Sequence, residues 1–238
     1  MKVDILAIGA HPDDVELGCG GTIAKLISEG KKVAIIDLTE GELGTRGTNE
    51  TRAQEAATAS EILGISAREN LKMKDGFIIN SQEYQFRIIE MIRKYQPEIV
   101  LCNAIDDRHP DHAKAAKLVS DACFLSGLVK IKTDYEGESQ KFWRPKQIFH
   151  YIQWKNIEPD FVMDISGFLD KKIEACLAYK TQFYDPTSTE PMTPIATKDF
   201  LESLTYRAQD LGRLSGVEYA EGFTTERCLA VNSLGDLK

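Results

Sequence analysis

The sequence predicts an α/β fold, namely a Rossmann-like, mostly parallel sheet flanked by helices on both faces, with a C-terminal elaboration. In the first half of the chain, short apolar runs alternate with segments of helical periodicity. Uninterrupted apolar runs of strand length are typical of parallel strands that are buried on both faces. The length of 238 residues fits one large domain, since domains usually have roughly 100–200 residues. We therefore expect a single domain over residues 1–238, with a core α/β half at 1–126 and the elaboration at 127–238.

The first half supplies four predicted strands, each followed by a helix. The strands are expected at residues 3–10, 33–38, 70–73 and 99–103. The helices are expected at residues 22–29, 50–63, 82–95 and 111–125. Glycines precede the first helix, Gly64 follows the second and Pro97 follows the third, and these residues are common at helix ends. This βα order implies parallel strands joined by crossover helices.

The second half has a looser pattern. Two more strands are expected at 147–151 and 161–165, and two helices at 169–181 and 200–211. Residues 130–145 are polar and predicted to be a loop. A second loop at 184–197 contains three prolines. Long loops without secondary structure are usually functional, so we expect a lid or an oligomer contact there.

The composition disfavours several classes of partner. The net charge of −8 argues against a nucleic-acid partner, which would require a basic surface. The five cysteines include no CxxC pair, so reduced cysteines in a cytoplasmic protein are expected rather than a disulfide framework. No apolar run reaches the ~18 residues of a membrane helix, and no membrane partner is expected.

Two polar clusters follow predicted strands, at the edge where open parallel sheets bind ligands. One is residues 10–14, with the sequence AHPDD, and the other is residues 106–112, with the sequence DDRHPDH. Three of the four histidines of the chain fall in these two segments. This joint occurrence indicates a metal site. The fourth histidine, His150, lies in a predicted strand without an acidic cluster, and we expect it to have no direct role.

The predicted metal ligands are His11, Asp14 and His112. Histidine and carboxylate ligands suit zinc, and a catalytic zinc commonly has three protein ligands. Other divalent ions such as Fe²⁺ also bind such sets. Asp13 is then available as a general base, and His109 to polarise a carbonyl or stabilise an oxyanion. The alternative is that the two adjacent aspartates cap the following helix, since aspartate is favoured at that position.

The paired motifs AHPDD and HPDH resemble those of the PIG-L/LmbE superfamily of zinc-dependent N-acetylglucosamine (GlcNAc) deacetylases. The runs DLTEGELGTRGT at 37–48, ETR at 50–52 and YAEGF at 219–223 resemble its bacillithiol-biosynthesis branch. The likeness spans residues 3–223 and implies zinc-dependent hydrolysis of the N-acetyl group of a small GlcNAc conjugate. In that branch the substrate is N-acetylglucosaminyl malate; another GlcNAc conjugate or a chitooligosaccharide is the alternative. The resemblance also implies a homo-oligomer, with a hexamer among its forms.

The resemblance assigns roles to single residues. It makes His11, Asp14 and His112 the zinc ligands, Asp13 the general base and His109 the oxyanion-stabilising partner. Asp111 would orient His109 by a hydrogen bond.

Two arginines are implied as substrate-binding residues, Arg52 and Arg108. Forked guanidinium donors suit the two carboxylates of malate. The alternative for Arg52 is a solvated helix residue that pairs with Glu50 or Glu55. Some relatives place a tyrosine over the reacting carbonyl, and residues 198–200 here contain none. Tyr151 and Tyr184 are therefore open candidates for a second oxyanion donor.

Two other classes of protein fit the sequence less well than a deacetylase does. A strand followed by glycines and a helix also opens a dinucleotide-binding fold, but Gly18, Gly20 and Gly21 follow an acidic cluster and form no GxGxxG directly after the strand. A non-catalytic metal- or sugar-binding protein would not need a spare carboxylate such as Asp13 beside the metal.

Overall fold

The computed structural model describes residues 1–236, and within them a seven-stranded sheet is flanked by six α-helices. In chain order the strands are β1 (Ile5–Gly9), β2 (Val33–Thr39), β3 (Ala67–Met73), β4 (Ile99–Cys102), β5 (Asp134–Tyr135), β6 (Glu138–Ser139), β7 (Gln147–Tyr151), β8 (Phe161–Asp164) and β9 (Ala220–Thr225). The helices are α1 (Asp14–Ser28), α2 (Asn49–Leu63), α3 (Gln82–Tyr95), α4 (Pro110–Ser126), α5 (Leu169–Leu177) and α6 (Lys198–Ser215). Strands β5 and β6 form a separate hairpin.

The central sheet has the order β3-β2-β1-β4-β7-β9-β8. The pairs from β3 to β7 are parallel, and β9 is antiparallel to both of its neighbours. The predicted mostly parallel, Rossmann-like sheet is confirmed. After β1 the chain adds strands on one side, and β4 then pairs with the other side of β1. Ligands bind at such a switch point, beyond the carboxyl ends of the strands.

Both faces of the sheet are covered. Leu6 and Ile8 of β1 pack in a buried cluster with residues of α3 and α4. Ile5 and Ala7, which point the other way, pack in a second cluster with residues of α1, α2 and α5. Because successive strand residues face opposite sides, burial on both faces requires an unbroken apolar run.

Helix α1 begins earlier than predicted. It starts at Asp14, and the chain kinks at Cys19, where φ is −144° and ψ is 24°. The predicted start at residue 22 lies close to the start of the second part of the helix. Glu221 accepts hydrogen bonds there from the backbone N–H groups of Gly21 (3.1 Å) and Thr22 (2.7 Å). Glu221 belongs to β9, a strand that was not predicted, so the local sequence could not reveal this contact.

The C-terminal helices also differ from their predicted limits. Helix α5 ends at Leu177, before the predicted residue 181, and the chain then buries Tyr179 and Phe183. Helix α6 begins at Lys198 because the Thr197 side chain accepts a hydrogen bond from the backbone N–H of Phe200. No helix within residues 1–236 is long and apolar enough to cross a membrane. The assignment of residues 1–238 to a single domain remains a prediction.

Candidate active site

The two polar clusters meet at the carboxyl edge of the sheet, where they line a cleft of about 440 Å³. His11 follows β1, and His109 and His112 follow β4. The ring centroids of His11 and His109 lie 4.5 Å apart, and those of His11 and His112 lie 5.5 Å apart. Ring nitrogens of all three histidines lie within 4.8 Å of one another. Two motifs almost a hundred residues apart in sequence therefore form one site because β1 and β4 are neighbouring parallel strands.

Asp14 lies between two of these histidines. Its Oδ2 is 3.5 Å from Nδ1 of His11, and its Oδ1 is 3.2 Å from Nε2 of His112. All three side chains are largely buried. The structure therefore brings together the three predicted metal ligands, His11, Asp14 and His112.

Two further carboxylates contact His11 and His112, each at the ring nitrogen that does not face Asp14. Asp75 is 3.0 Å from Nε2 of His11, and Asp107 is 2.6 Å from Nδ1 of His112. Metal-binding histidines typically have this arrangement, with one nitrogen for the metal and the other bonded to an acceptor. The donor set of two imidazoles and one carboxylate therefore fits a divalent ion such as Zn²⁺ or Fe²⁺.

His109 has a different environment from the other two histidines. Its Nδ1 accepts a hydrogen bond of 3.3 Å from the backbone N–H of Asp111. In a neutral ring the proton then resides on Nε2, which can act as a donor. Burial lowers the pKa of His109 below its usual value, and the neighbouring His11 and His112 lower it further. These observations favour a neutral ring that donates from Nε2.

The Asp111 carboxylate makes other contacts than the predicted hydrogen bond to His109. It is fully buried and accepts hydrogen bonds from the backbone N–H groups of Gly76 (2.7 Å) and Ile78 (3.4 Å). Its Oδ2 is 3.6 Å from Nε2 of His11. Asp111 thus contacts His109 through its backbone N–H, because its side chain turns towards the loop that follows β3.

Two amide side chains hold Asp14 in place. Asn103 donates to Oδ2 of Asp14 at 2.9 Å, and Gln153 donates to Oδ1 at 2.8 Å. Asn103 also donates to Oε1 of Gln153 at 2.9 Å, so the three side chains form a closed ring of hydrogen bonds. Burial alone would raise the pKa of Asp14, but His112 and His11 beside it keep that pKa well below its usual value.

Four residues that contact the predicted ligands were not predicted from the sequence, namely Asp75, Asp107, Asn103 and Gln153. Each of these residues follows the carboxyl end of a strand, namely β3, β4 or β7. The rule that identified the two motifs, polar residues just after a predicted strand, also applies to these four positions. Asp107 lies within the DDRHPDH segment itself, whereas Asp75, Asn103 and Gln153 lie outside both motifs. The contacts of all four to the predicted ligands depend on the tertiary structure.

Asp13 occupies the N-cap position of α1 without capping it. Its side chain makes no capping hydrogen bond, and its φ of 115° is unusual for a residue other than glycine. Its Oδ2 instead lies 3.1 Å from Nη2 of Arg52. Burial, with a smaller contribution from Asp14, raises the pKa of Asp13 to about 7 against the opposing effect of Arg52. The helix-cap interpretation therefore does not hold for Asp13.

Arg52 is buried beside the cleft rather than on a solvated helix face. Nη1 donates to the Gly41 carbonyl at 3.4 Å, and Nη2 donates to the Pro12 carbonyl. Glu55, one of its predicted partners, is instead bonded to Thr181. The Nε of Arg52 is buried without a partner. The substrate-binding role of Arg52 stays a prediction, because its two terminal nitrogens are bonded within the protein and its Nε is buried.

Arg108 lies at the mouth of the cleft. It is exposed, and its guanidinium carbon is 4.6 Å from the centroid of the Trp154 ring. Trp154 in turn stacks on Phe200, with ring centroids 5.2 Å apart. This stacking fixes the plane of the guanidinium and leaves its N–H groups at the edge free to bind an anion.

One of the two candidate tyrosines has a different role. Tyr151 is fully buried and donates its hydroxyl to the Ile8 carbonyl at 2.9 Å. Its ring also lies against Gly18, where an added Cβ would come within 2.2 Å of a ring carbon. Tyr151 therefore supports α1 and is not a free donor to a substrate.

The proline-rich loop at 184–197 forms one wall of the cleft. Met192, Thr193, Pro194 and Ile195 line it together with the metal-site residues. The loop is anchored through Glu190, which accepts hydrogen bonds from Nε of Arg46 (3.2 Å) and the backbone N–H of Gly47 (3.1 Å). Of the two predicted roles, a lid and an oligomer contact, the position of the loop at the cleft fits the lid.

Comparison with known proteins places the chain in a family. The PIG-L family, described as GlcNAc-PI de-N-acetylase, matches residues 6–123. Diacetylchitobiose deacetylase of Thermococcus kodakarensis is 30% identical over 229 residues, which cover 92% of this chain and 81% of the relative. A conserved protein from Thermus thermophilus has 35% sequence identity to this chain, and its crystal structure matches with a TM-score of 0.85. The match covers 97% of this chain and 98% of that protein. The chain belongs to the PIG-L family and is an enzyme that hydrolyses amide bonds.

Two further relatives, with slightly lower identity, have names that describe different reactions. "Probable N-acetyl-alpha-D-glucosaminyl L-malate deacetylase 2" of Bacillus subtilis is 29% identical over 199 residues, covering 76% of this chain and 84% of the relative. A 4-oxalmesaconate hydratase of Pseudomonas putida is 28% identical over 197 residues, covering 76% of this chain and 75% of the relative. The names of the relatives thus cover different reactions and substrates, and the residues of its own cleft determine the substrate of this chain.

Proposed function

We propose that this enzyme removes the acetyl group from a GlcNAc conjugate, with a divalent metal held by His11, Asp14 and His112. The observation that carries the proposal is the position of Asp13, a buried carboxylate that adjoins the metal-ligand cluster and lies outside the ligand set. When bound, zinc would supply Lewis acidity that activates water and polarises the amide carbonyl.

Asp13 is the proposed general base. Its Oδ2 is bonded to Arg52, so Oδ1 is the atom that takes the proton from the attacking water. The oxygen of that water forms a bond to the acyl carbon, the C–N bond breaks, and Asp13 passes its proton to the leaving nitrogen. The products are acetate and the free amine of the sugar.

His109 is the proposed donor to the developing oxyanion. Its Nε2 is the nitrogen that carries the proton in the neutral ring, because Nδ1 accepts from the backbone of Asp111. A preformed donor of this kind stabilises negative charge on the acyl oxygen in the transition state. Asp111, through its backbone N–H, fixes the orientation of the ring.

N-acetylglucosaminyl malate is the substrate that we propose. Arg108 presents its guanidinium at the mouth of the cleft, stacked on Trp154, and makes no ion pair within residues 1–236. A guanidinium with free edges binds a carboxylate through two parallel hydrogen bonds. Malate offers two carboxylates, whereas a chitooligosaccharide offers none. The alternative substrate, a neutral GlcNAc oligosaccharide, would leave Arg108 without an anionic partner.

The test is acetate release from N-acetylglucosaminyl malate, diacetylchitobiose and plain GlcNAc, each with and without a chelator. We expect the highest kcat/KM for the malate conjugate, and loss of activity on chelation that added Zn²⁺ or Fe²⁺ restores. A higher kcat/KM for diacetylchitobiose would favour the alternative substrate. No acetate from any of the three would contradict the proposal that the substrate is a GlcNAc conjugate.

A further inference from the structure

Asp107 is a buried carboxylate that is bonded to two different parts of the cleft. Its Oδ2 lies 2.6 Å from Nδ1 of His112, one of the proposed metal ligands. Its Oδ1 accepts hydrogen bonds from the backbone N–H groups of Arg108 (2.8 Å) and Lys155 (3.0 Å). Oδ2 also accepts a longer one, of 3.4 Å, from the backbone N–H of Trp154. One side chain therefore joins the metal-ligand cluster to the two segments that carry Arg108 and Trp154.

The contact with His112 determines which ring nitrogen faces a metal ion. An ionised carboxylate only accepts hydrogen bonds, so Nδ1 of His112 has to carry the proton that it shares with Asp107. In the neutral ring the lone pair then belongs to Nε2, which lies 3.2 Å from Oδ1 of Asp14. The hydrogen bond at one ring nitrogen thus leaves the other available to a metal. Asp107 selects the form of His112 that can act as a ligand.

The contacts with the backbone hold both halves of the stack between Arg108 and Trp154. Arg108 directly follows Asp107, whereas Trp154 and Lys155 follow β7. The guanidinium carbon of Arg108 is 4.6 Å from the centroid of the Trp154 ring, so the stack bridges two separate loops. Because both loops donate to the same carboxylate, a displacement of Asp107 would shift the two halves of the stack relative to each other.

We propose that Asp107 is a positioning residue that couples metal binding at His112 to recognition of an anionic group by Arg108. A metal ion on Nε2 strengthens the hydrogen bond that the other ring nitrogen donates to Asp107, and this fixes the carboxylate on which both loops rest. By thermodynamic reciprocity, an anion bound at Arg108 increases the affinity for the metal. This inference rests on the proposed function, because it uses the proposed metal ligands and an anionic substrate.

The first experiment compares Asp107→Asn with Asp106→Asn. Asparagine has the shape of aspartate, but one end of its amide is a donor, so it cannot accept from His112 and from the backbone of Lys155 at once. Asp106 is the exposed neighbouring aspartate, and its carboxylate is bonded to Nζ of Lys155 at 2.8 Å, so Asp106→Asn is the matched control. Metal affinity is measured by competition with a chelator. Kinetics on N-acetylglucosaminyl malate and on plain GlcNAc are measured at saturating metal.

We expect Asp107→Asn to lower the metal affinity about 10–100-fold, as is typical for loss of a group that orients a metal-binding histidine. The KM for the malate conjugate should rise relative to the KM for plain GlcNAc by roughly fivefold or more, which is the lower end of typical coupling between two sites. Asp106→Asn should retain the wild-type metal affinity and the wild-type ratio of KM values.

A second experiment uses the wild type, so it does not depend on the folding of Asp107→Asn. Chelator competition is carried out with saturating glucosaminyl malate or with saturating glucosamine. The malate-bearing product should raise the metal affinity roughly fivefold or more over glucosamine, and Arg108→Ala should abolish this difference. A difference that persists in Arg108→Ala would mean that malate acts on the metal directly and would overturn the coupling.

Three further results would overturn the inference alone. An unchanged metal affinity in Asp107→Asn would contradict the positioning of His112. A lower metal affinity with an unchanged ratio of KM values, or equal effects of the two products on the wild type, would contradict the coupling to Arg108. Absence of wild-type turnover on every GlcNAc conjugate tested would instead overturn the proposed function, and the metal affinity of Asp107→Asn would still test the role of Asp107 at His112.

Discussion

The Oδ2 atom of Asp13 lies 3.1 Å from the Nη2 atom of Arg52, and both side chains are buried. Arg52 is itself fixed by the carbonyls of Pro12 and Gly41. The positive φ of Asp13 stores strain of about 1–3 kcal/mol, which persists only where the surroundings enforce it. The ion pair is one such contact, and it leaves Oδ1 of the carboxylate available.

The Asp13–Arg52 pair should behave as a unit in catalysis. Arg52→Gln removes the anchor of the carboxylate, so we expect kcat to fall at least about tenfold, as for other groups that position catalytic residues. When Arg52→Gln is combined with Asp13→Asn, kcat should fall little below that of Asp13→Asn alone, because the base is already absent. Steady-state kinetics of both single variants and the double variant test this. Additive losses would show that Arg52 acts independently, for instance on the substrate.

Asp13→Asn should separate catalysis from metal binding. Loss of a general base lowers turnover by about 10²–10⁴-fold, while the ligand set stays intact. His112→Ala serves as the comparison, because it removes a proposed ligand and should lose metal. Acetate release and elemental analysis of the purified variants provide the two readouts. Near-normal turnover in Asp13→Asn, or full metal occupancy in His112→Ala, would refute the corresponding assignment.

Gln153→Ala should weaken metal binding. Gln153 donates to Asp14 at 2.8 Å, and loss of such a supporting hydrogen bond typically costs about 10–100-fold in metal affinity or activity. Gln182→Ala is the control, since Gln182 also lines the cleft but donates to the carbonyl of Arg46. Metal affinity is measured by competition with a chelator. Equal affinities in the two variants would mean that Gln153 does not position Asp14.

Trp154→Leu should reduce discrimination for the malate group. Arg108→Ala removes a charged hydrogen-bond donor, so KM for N-acetylglucosaminyl malate should rise roughly 10–100-fold. Trp154→Leu removes the stacking surface under that guanidinium, worth about 0.5–1 kcal/mol at an exposed site, together with the contact to Phe200, and should cause a smaller rise. Neither change should affect kinetics on plain GlcNAc. A similar loss on both substrates would argue against an anion site at Arg108.

Gly18→Ala should destabilise the protein, whereas Gly20→Ala should not. An added Cβ at position 18 would meet the buried ring of Tyr151 at 2.2 Å, but at position 20 the nearest atom, in Lys172, is 3.4 Å away. Overpacking of this kind costs typically about 1–3 kcal/mol, and alanine in a helix is favoured over glycine by up to about 1 kcal/mol. Urea denaturation gives the free energies of unfolding. Similar values for the two variants would contradict the close approach of α1 to Tyr151.

Local patterns were sufficient to predict the first half of the fold. The strand regions around β1, β2 and β4 appear as apolar runs because both faces of the sheet are covered, and helices α2 and α3 are marked by turn residues at their ends. Strand β9 was missed because its sequence, AEGFTT, has little apolar periodicity. Its place between β7 and β8 depends on pairing across a long stretch of chain, which local sequence does not encode.

The sheet type could be predicted from the apolar runs, and the two motifs identified His11, Asp14 and His112 as a candidate ligand set, because ligand chemistry depends on residue type. The contacts of the surrounding residues follow from the tertiary structure. It turned the Asp111 side chain away from His109, paired Arg52 with Asp13, and brought Gln153 against Asp14 from the second half of the chain. These contacts form between residues far apart in sequence, where strand order and burial select the partner.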